Sequence, residues 1–234
     1  MNINKLLNLS NKKLSKEVQE DLNGKSFNND ISSKYLFTNS SKIKCKICNR
    51  EKIILCGAKF IENFLKSNFP KIKFNSPFKD GDKIRKNSKI FLISGNAKII
   101  LGIERTILNF LQHLSSISTT THEFVTKMGK VNTTLLNTRK TTIGLRKFEK
   151  YATLIGGAKN HRMGLYDDIL IKDNHIKIIG NDKTIHPAQR LDREGIMSVN
   201  YFSLMNDSIV DVHLPRPYEE YKGYIDKIYD TLMV

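Results

Sequence analysis

The sequence predicts an α/β protein in which an N-terminal α+β sandwich leads into an incomplete α/β barrel. Three observations carry that expectation. Before Ser94, apolar and charged residues alternate in short runs, the period of strands with one wet face. Between Thr106 and His122 lies a long helical pattern without a formally charged residue at pH 7. From Thr133 to Ile171 the pattern reads strand, helix, strand, which is a βαβ unit.

Asn4 to Leu22 reads as one or two polar helices, and Asp21 to Asn29 is turn-rich. Lys42 to Leu55 alternates as expected for an antiparallel strand pair. Gly57 to Asn68 has helical spacing through Phe60, Ile61, Phe64 and Leu65. Phe78-Lys79-Asp80-Gly81-Asp82 is a hairpin-type turn, and Ile90 to Ile93 is a further strand, broken at Gly95. Glu104 is expected to open the long helix, along which Ile107, Phe110, Leu111, Leu114, Thr121, Phe124, Val125 and Met128 recur at threes and fours. A helix uncharged all round is buried on more than one side, either in the core or at a subunit interface; the interface is the favoured reading.

Thr133 to Leu136 reads as a short buried strand, with Arg139 and Lys140 just past its end. Leu145, Phe148, Ala152 and Ile155 then share one helical face, and Gly156-Gly157 stops that helix. Ile169 to Ile171 is a second strand with Lys172 at its exit. In barrels built of such units the active site lies where strands end. Arg139, Lys140, His161, Arg162 and Lys172 are therefore expected at one mouth, and so many cations together require an anionic ligand. The bland alternatives are a surface histidine, cations that cap a strand, and a Schiff-base lysine at position 172.

The chain has 234 residues, 39% of them hydrophobic, enough for a core and too many for wholesale disorder. Its formal net charge of +16 fits a solvated lysine-rich surface, a nucleic-acid partner or a small polyanionic substrate. The substrate is favoured over nucleic acid because the arginines concentrate at motif positions while the lysines scatter. Cys45-Lys46-Ile47-Cys48 has the spacing of a zinc or redox pair, but no second pair follows and Cys56 does not complete four ligands. Ordinary reduced thiols and a cytoplasmic location are expected. No run approaches the ~20 apolar residues of a membrane span, and Met1 to Leu22 has no apolar h-region of a secretory signal.

The stretch NTRKTTIGLRKFEKYATLIGGAKNHRMGLYDDILIKDNH, Asn137 to His175, resembles the core of the quinolinate phosphoribosyltransferases, the carboxylating nicotinate-nucleotide pyrophosphorylases. ERTILNFLQHLSSISTTT, Glu104 to Thr121, resembles the interface helix of the same family. The resemblance runs from about Val18 to Ile176, weakly at EDLNGKSFNNDISS, where Asn23 and Asn29 stand in place of glycines. It implies an N-terminal α+β sandwich over residues 1–115, the start of an α/β barrel over 116–176, and a tail of 177–234 outside the pattern.

The resemblance implies a phosphoribosyl transfer from phosphoribosyl pyrophosphate to quinolinate. The products are nicotinate mononucleotide, pyrophosphate and CO2, a step of NAD biosynthesis. It also implies a homodimer in which Arg105 reaches the neighbouring active site. Arg105, Arg139 and Arg162 would hold the two carboxylates of quinolinate, since planar guanidinium forks bind carboxylates bidentately. Lys140 and Lys172 would act as catalytic and phosphate-facing charges, His161 would bond a carboxylate, and Thr138 would line the substrate site. Mg2+ would arrive with phosphoribosyl pyrophosphate, with no metal site made by the protein alone.

After Ile176 the family's Glu-x-Glu, Leu-Asp-Asn and Ser-Gly-Gly elements are not found; Asp182, Asp192 and Asp211 lie in other contexts. Residues 118–234 hold about four βαβ units at ~30 residues each, fewer than a closed barrel requires. A truncated or catalytically dead remnant is therefore the first alternative, and a basic RNA-binding module the second. The role and origin of 177–234, the ribose-binding carboxylates and any oligomer beyond a dimer are not legible.

Overall fold

Two units make up the chain, and a computed structural model describes residues 2–129, 134–167 and 170 of it. The first unit comprises Met1–Gly129 and Thr141–Ala158; the second comprises Lys130–Lys140 and Lys159–Val234.

In the first unit, α1 (Ile3–Asp21) is a single helix, capped by the Asn2 side chain on the Lys5 N–H. A 3-10 turn (Phe27–Asn29) and α2 (Ile31–Leu36) follow. Next come β1 (Lys42–Cys48), β2 (Ile53–Ile54), α3 (Ala58–Asn68), β3 (Lys73–Asn75), β4 (Lys83–Ile84), β5 (Lys89–Asn96), α4 (Ala97–Met128) and α5 (Arg146–Ile155). The class is mixed α/β. An antiparallel sheet of order β1-β5-β3 stands beside a two-stranded pair, β2-β4. The inner face of the larger sheet, with Phe91 and Ile93, meets Leu14, Val18 and Leu22 of α1, Ile61, Phe64 and Leu65 of α3, and Ile100, Ile103, Ile107 and Leu111 of α4 in one core.

The alternation of Lys42–Cys48 is present, but β1 does not pair with β2. It pairs with β5, from Lys42 opposite Asn96 to Ile47 opposite Phe91, while β2 pairs with β4. The reason is Asn49. Its Nδ2 donates to the Arg85 carbonyl at 2.8 Å and its Oδ1 accepts the Ser88 N–H at 2.9 Å, which ties the chain after β1 to the β4–β5 connection. Likewise the Phe78–Asp82 turn joins strands of different sheets and closes no hairpin. β5 continues through Gly95 to Asn96; a Cβ at Gly95 would lie 2.4 Å from Ile72 Cδ1, so close packing against Ile72 explains the glycine.

The long helix begins at Ala97, seven residues before Glu104. Strand β5 runs straight into it, with Asn96 as cap: its Oδ1 accepts the Ile99 N–H at 3.2 Å. Gly95 and Asn96 are the last two residues of the strand, and no loop separates them from the helix. The expected boundary at 115 falls inside α4, which is continuous to Met128.

The uncharged segment of α4 owes its composition to the chain's own backbone. Ser115 Oγ accepts the Cys56 N–H and donates to the Cys56 carbonyl, both at 3.1 Å. Ser118 Oγ donates to the Ile54 carbonyl at 2.7 Å, and Thr119 Oγ1 accepts the Ile54 N–H at 2.9 Å. Hydroxyls of a helix thus complete the bonding of a strand, where charged side chains would be desolvated without partners. Thr106, Ile107, Leu111, Leu114, Ser115, Ser118 and Thr121 are buried within one chain, so the core reading accounts for this face.

Helix α5 presents the expected face. Phe148 and Ala152 are fully buried with Leu6, Cys56, Phe60 and Leu114. Phe148 meets Phe60 and Phe110 edge-on, with ring centroids 5.5 and 5.3 Å apart. Tyr151 Oη donates to Asp80 Oδ2 at 2.8 Å, and Asp80 Oδ1 accepts the Ala58 N–H at 2.8 Å. Asp80 therefore caps α3, whose N-cap Gly57 has no side chain to do so. Burial raises the Asp80 carboxyl above its ordinary pKa, against the Tyr151 hydroxyl and backbone N–H groups, which lower it. Burial raises Tyr151 as well, with the Asp80 charge adding to it.

Among the described residues no helix is long and apolar enough to cross a membrane.

Candidate active site

The second unit contains a parallel pairing. Leu136 bridges Lys159, the Lys159 N–H donates to the Leu135 carbonyl at 2.9 Å, and the Asn137 N–H donates to the Lys159 carbonyl at 3.1 Å. In sequence α5 lies between the two segments, but the pairing is an isolated bridge, and no strand is formed at 134–136 or at Lys159. Of the expected strand Thr133–Leu136, residues 134–136 are described; Ile169 and Ile171 of the other, and Lys172, lie outside the described residues.

Asn137 is the residue that organises this pair. Its Oδ1 accepts the His161 N–H at 3.1 Å and its Nδ2 donates to Asn160 Oδ1. With Leu136 in register with Lys159, Thr138-Arg139-Lys140 and His161-Arg162 leave the pairing in the same direction, side by side. Thr138 Oγ1 accepts the Lys140 N–H at 3.1 Å and sets the first turn after the pair. Farther along, Asp167 Oδ2 accepts the Met163 N–H at 2.7 Å. Asn137 and Arg162 are buried, Thr138, Arg139 and His161 half-buried, and Lys140 exposed. Five of the seven expected site residues, Thr138, Arg139, Lys140, His161 and Arg162, thus share one end of one parallel pair.

Asn137 was not among the residues expected at the site. The signal was a repeated pattern: an asparagine precedes both cation groups, Asn137-Thr-Arg-Lys and Asn160-His-Arg.

In the first unit, Arg105 is exposed on α4, and the i, i+4, i+7 spacing continues its line through the exposed Asn109, Gln112 and Ser116. Its neighbour Glu104 is not its salt-bridge partner; among the described residues the ion pairs are Lys66–Glu62 and His113–Glu149. That second pair was also missed. Glu149 Oε1 meets His113 Nε2 at 2.9 Å while Oε2 accepts the Thr142 N–H at 3.1 Å, so α4 and α5 together fix the chain two residues after Lys140. No three His, Cys, Asp or Glu side chains cluster as metal ligands among the described residues. The gathered groups are cations, which suit a metal ion only when it is already bound to a polyanion.

The families described as quinolinate phosphoribosyl transferase, N-terminal domain and C-terminal domain, match residues 30–115 and 117–200. The match therefore continues past Ile176, to residue 200. A quinolinate phosphoribosyltransferase [decarboxylating] 2b, mitochondrial, of Nicotiana tabacum is 43% identical over 131 residues, 56% of this chain and 37% of that protein. A probable nicotinate-nucleotide pyrophosphorylase [carboxylating] of Methanocaldococcus jannaschii is 41% identical over 162 residues, 68% of this chain and 56% of that one. The solved nicotinate-nucleotide pyrophosphorylase of Francisella tularensis superposes with a TM-score of 0.70 at 34% identity, over 85% of this chain and 68% of that chain. The chain spans between about a third and a little over half of these curated relatives.

Proposed function

The chain belongs to the quinolinate phosphoribosyltransferase family, and on that premise we propose that it binds quinolinate and phosphoribosyl pyrophosphate for the synthesis of nicotinate mononucleotide. The observation that carries the reading is the Asn137 clasp, which places two cation groups abreast at the end of one parallel pair. In this reading Arg139 and Arg162 grip the quinolinate carboxylates as bidentate forks, and His161 donates a further hydrogen bond. Lys140 and Lys172 face the phosphates. The fixed positive field holds negative charge that develops on the ring as CO2 leaves and on departing pyrophosphate. Mg2+ fits as a companion of phosphoribosyl pyrophosphate, neutralising its phosphates, with substrate and water oxygens as its ligands.

Arg105 and the exposed polar line behind it belong, in the same reading, to a homodimer contact, with Arg105 completing the neighbour's site. The α+β sandwich domain corresponds to the first unit, the residues after α4 open an incomplete α/β barrel, the segment past residue 200 has no role in this reading, and the protein works in the cytoplasm. The family's Glu-x-Glu and Leu-Asp-Asn elements are not found after Ile176, so binding is expected to exceed turnover.

The test is calorimetry with quinolinate together with an assay for nicotinate mononucleotide in the presence of both substrates and Mg2+. Arg139→Ala is expected to weaken quinolinate binding by about 1.5–3 kcal/mol, the scale of a hydrogen bond to a charged group. Unchanged affinity in that variant would remove the carboxylate role. Turnover of ~1 s⁻¹ or more would show that residues beyond 176 supply the groups that orient the ribose.

A further inference from the structure

Lysines that scatter along the sequence gather on one face of the β1-β5-β3 sheet. Side chains alternate across a strand, so Ile43, Cys45 and Ile47 pack against the core while Lys42, Lys44 and Lys46 face solvent. Register adds the partners. Lys44 stands opposite Ser94, which stands opposite Lys73; Lys46 stands opposite Leu92, which stands opposite Asn75; Lys42 stands opposite Asn96. Four exposed lysines thus share a surface with serine, asparagine and one leucine, and no carboxylate occupies any of these positions. Among the described residues none of the four lysines has a salt-bridge partner. Successive lysines of β1 are about 6.6 Å apart in one row, and Lys73 lies two strands across from Lys44, about 9.6 Å at about 4.8 Å per strand.

We infer that this face is a sequence-independent docking surface for the phosphodiester backbone of a single-stranded nucleic acid. The evenly spaced row on β1 suits a repeating anion, and point-like ammonium groups suit phosphate without reading bases. Ser94, Asn96 and Asn75 offer hydrogen bonds to the same backbone. The face has no exposed aromatic ring on which bases could stack, so binding is electrostatic and blind to sequence. Leu92 is its one exposed apolar side chain, too little to enter a lipid interface, which excludes a membrane as the favoured partner. The surface is built from the first unit alone and does not involve the cation groups beside Asn137.

The experiment measures binding of a fluorescein-labelled single-stranded RNA of mixed sequence by anisotropy across a salt series. Two variants with equal loss of charge are compared on the full chain: Lys42→Gln/Lys44→Gln/Lys46→Gln on the sheet, and Lys5→Gln/Lys12→Gln/Lys16→Gln on the exposed side of α1. Each lysine that meets a phosphate of a single strand contributes about 0.7 to the slope of log K against log salt, so the sheet variant should flatten it by about 2. The α1 variant should leave the slope unchanged. Equal flattening in both variants would mean that net charge alone drives binding, and an unchanged slope in the sheet variant would place the RNA elsewhere; either overturns the proposal. Preference for acidic peptides or anionic vesicles over RNA would overturn the choice of partner. The single variant Lys44→Gln, expected to flatten the slope by about 0.7, guards against a folding defect in the triple one. Quinolinate binding should be the same in all variants, so failure here is separable from failure of the active-site reading.

Discussion

The antiparallel sheet of the first unit and the parallel pair of the second both display cations, and they do so by opposite means. On the sheet, backbone pairing sets three lysines evenly along β1 and a fourth on β3, each exposed to water. At the pair, a single bridge and one asparagine side chain hold arginines, a lysine and a histidine together, with Arg162 withdrawn from solvent. Even spacing on a wet face costs little and selects little. The pair instead sets buried and half-buried cations on a short stretch of backbone, where the sheet leaves every lysine exposed. Position relative to backbone bonding, more than the number of cations, separates a general electrostatic surface from a candidate active site.

The largest expected effect probes the helical cluster of the unit that carries the sheet. Phe60 is fully buried and meets Phe110, Phe148 and Tyr151 edge-on. Phe60→Ala should lower the unfolding free energy by about 3–5 kcal/mol in chemical denaturation, because the cavity opens where α3, α4 and α5 converge. A loss under about 1 kcal/mol would mean that the cluster relaxes freely and that burial is not what secures the first unit.

A smaller and more local effect is expected at the clasp. Asn137→Ala removes the acceptor of the His161 N–H and the donor to Asn160. Leaving such buried groups unpaired costs about 1–3 kcal/mol. Quinolinate affinity should fall by about tenfold or more, at about 1.4 kcal/mol per decade, while the far-UV melting curve of the helical first unit stays in place. Asn137→Asp keeps the acceptor and loses the donor, so it should fall between wild type and Asn137→Ala.

The smallest effect is one of slope with pH. Asp80 has a folded pKa raised above its ordinary 3.8, so the folded state holds that proton more tightly than the unfolded state does. Its contribution is fully present below pH 3.8 and is lost as pH rises through the folded value. Measured against Asp80→Asn, which cannot titrate, wild type should therefore lose relative stability as pH rises through that window and level off above it. A difference independent of pH in denaturation curves would show that Asp80 titrates alike in both states.

The sequence made these two regions legible to different degrees, for physical reasons. Helices α3 and α5 were readable because burial imposes a period on Phe60, Ile61, Phe64 and Leu65, and on Phe148 and Ala152. Alternation in Lys42–Cys48 showed a strand, but alternation is indifferent to its partner. The choice of β5 over β2 rests on Asn49 reaching residues 36 and 39 positions away, which no local pattern encodes. The start of α4 was misplaced because a strand passes into a helix at Gly95-Asn96 with no loop between them. At the candidate site, the cations were visible as residue types in a motif. The bonds that align them were not, since an asparagine in a polar stretch has no period and its partners lie 23 and 24 residues on.

The hydroxyl seam between α4 and β2 has a consequence for how the protein behaves in a crowded solution. Leu55, just after the second strand, bonds toward Gly81 and Asp82 on one side; on the other, the backbone groups of Ile54 and Cys56 are taken up by Thr119, Ser115 and Ser118. An open strand edge is where unrelated chains add on and begin fibrils. Here a foreign strand would first have to pry away a helix buried in the core. Self-association through that edge is thus blocked by three small hydroxyls, without the lysines or prolines that usually guard such margins.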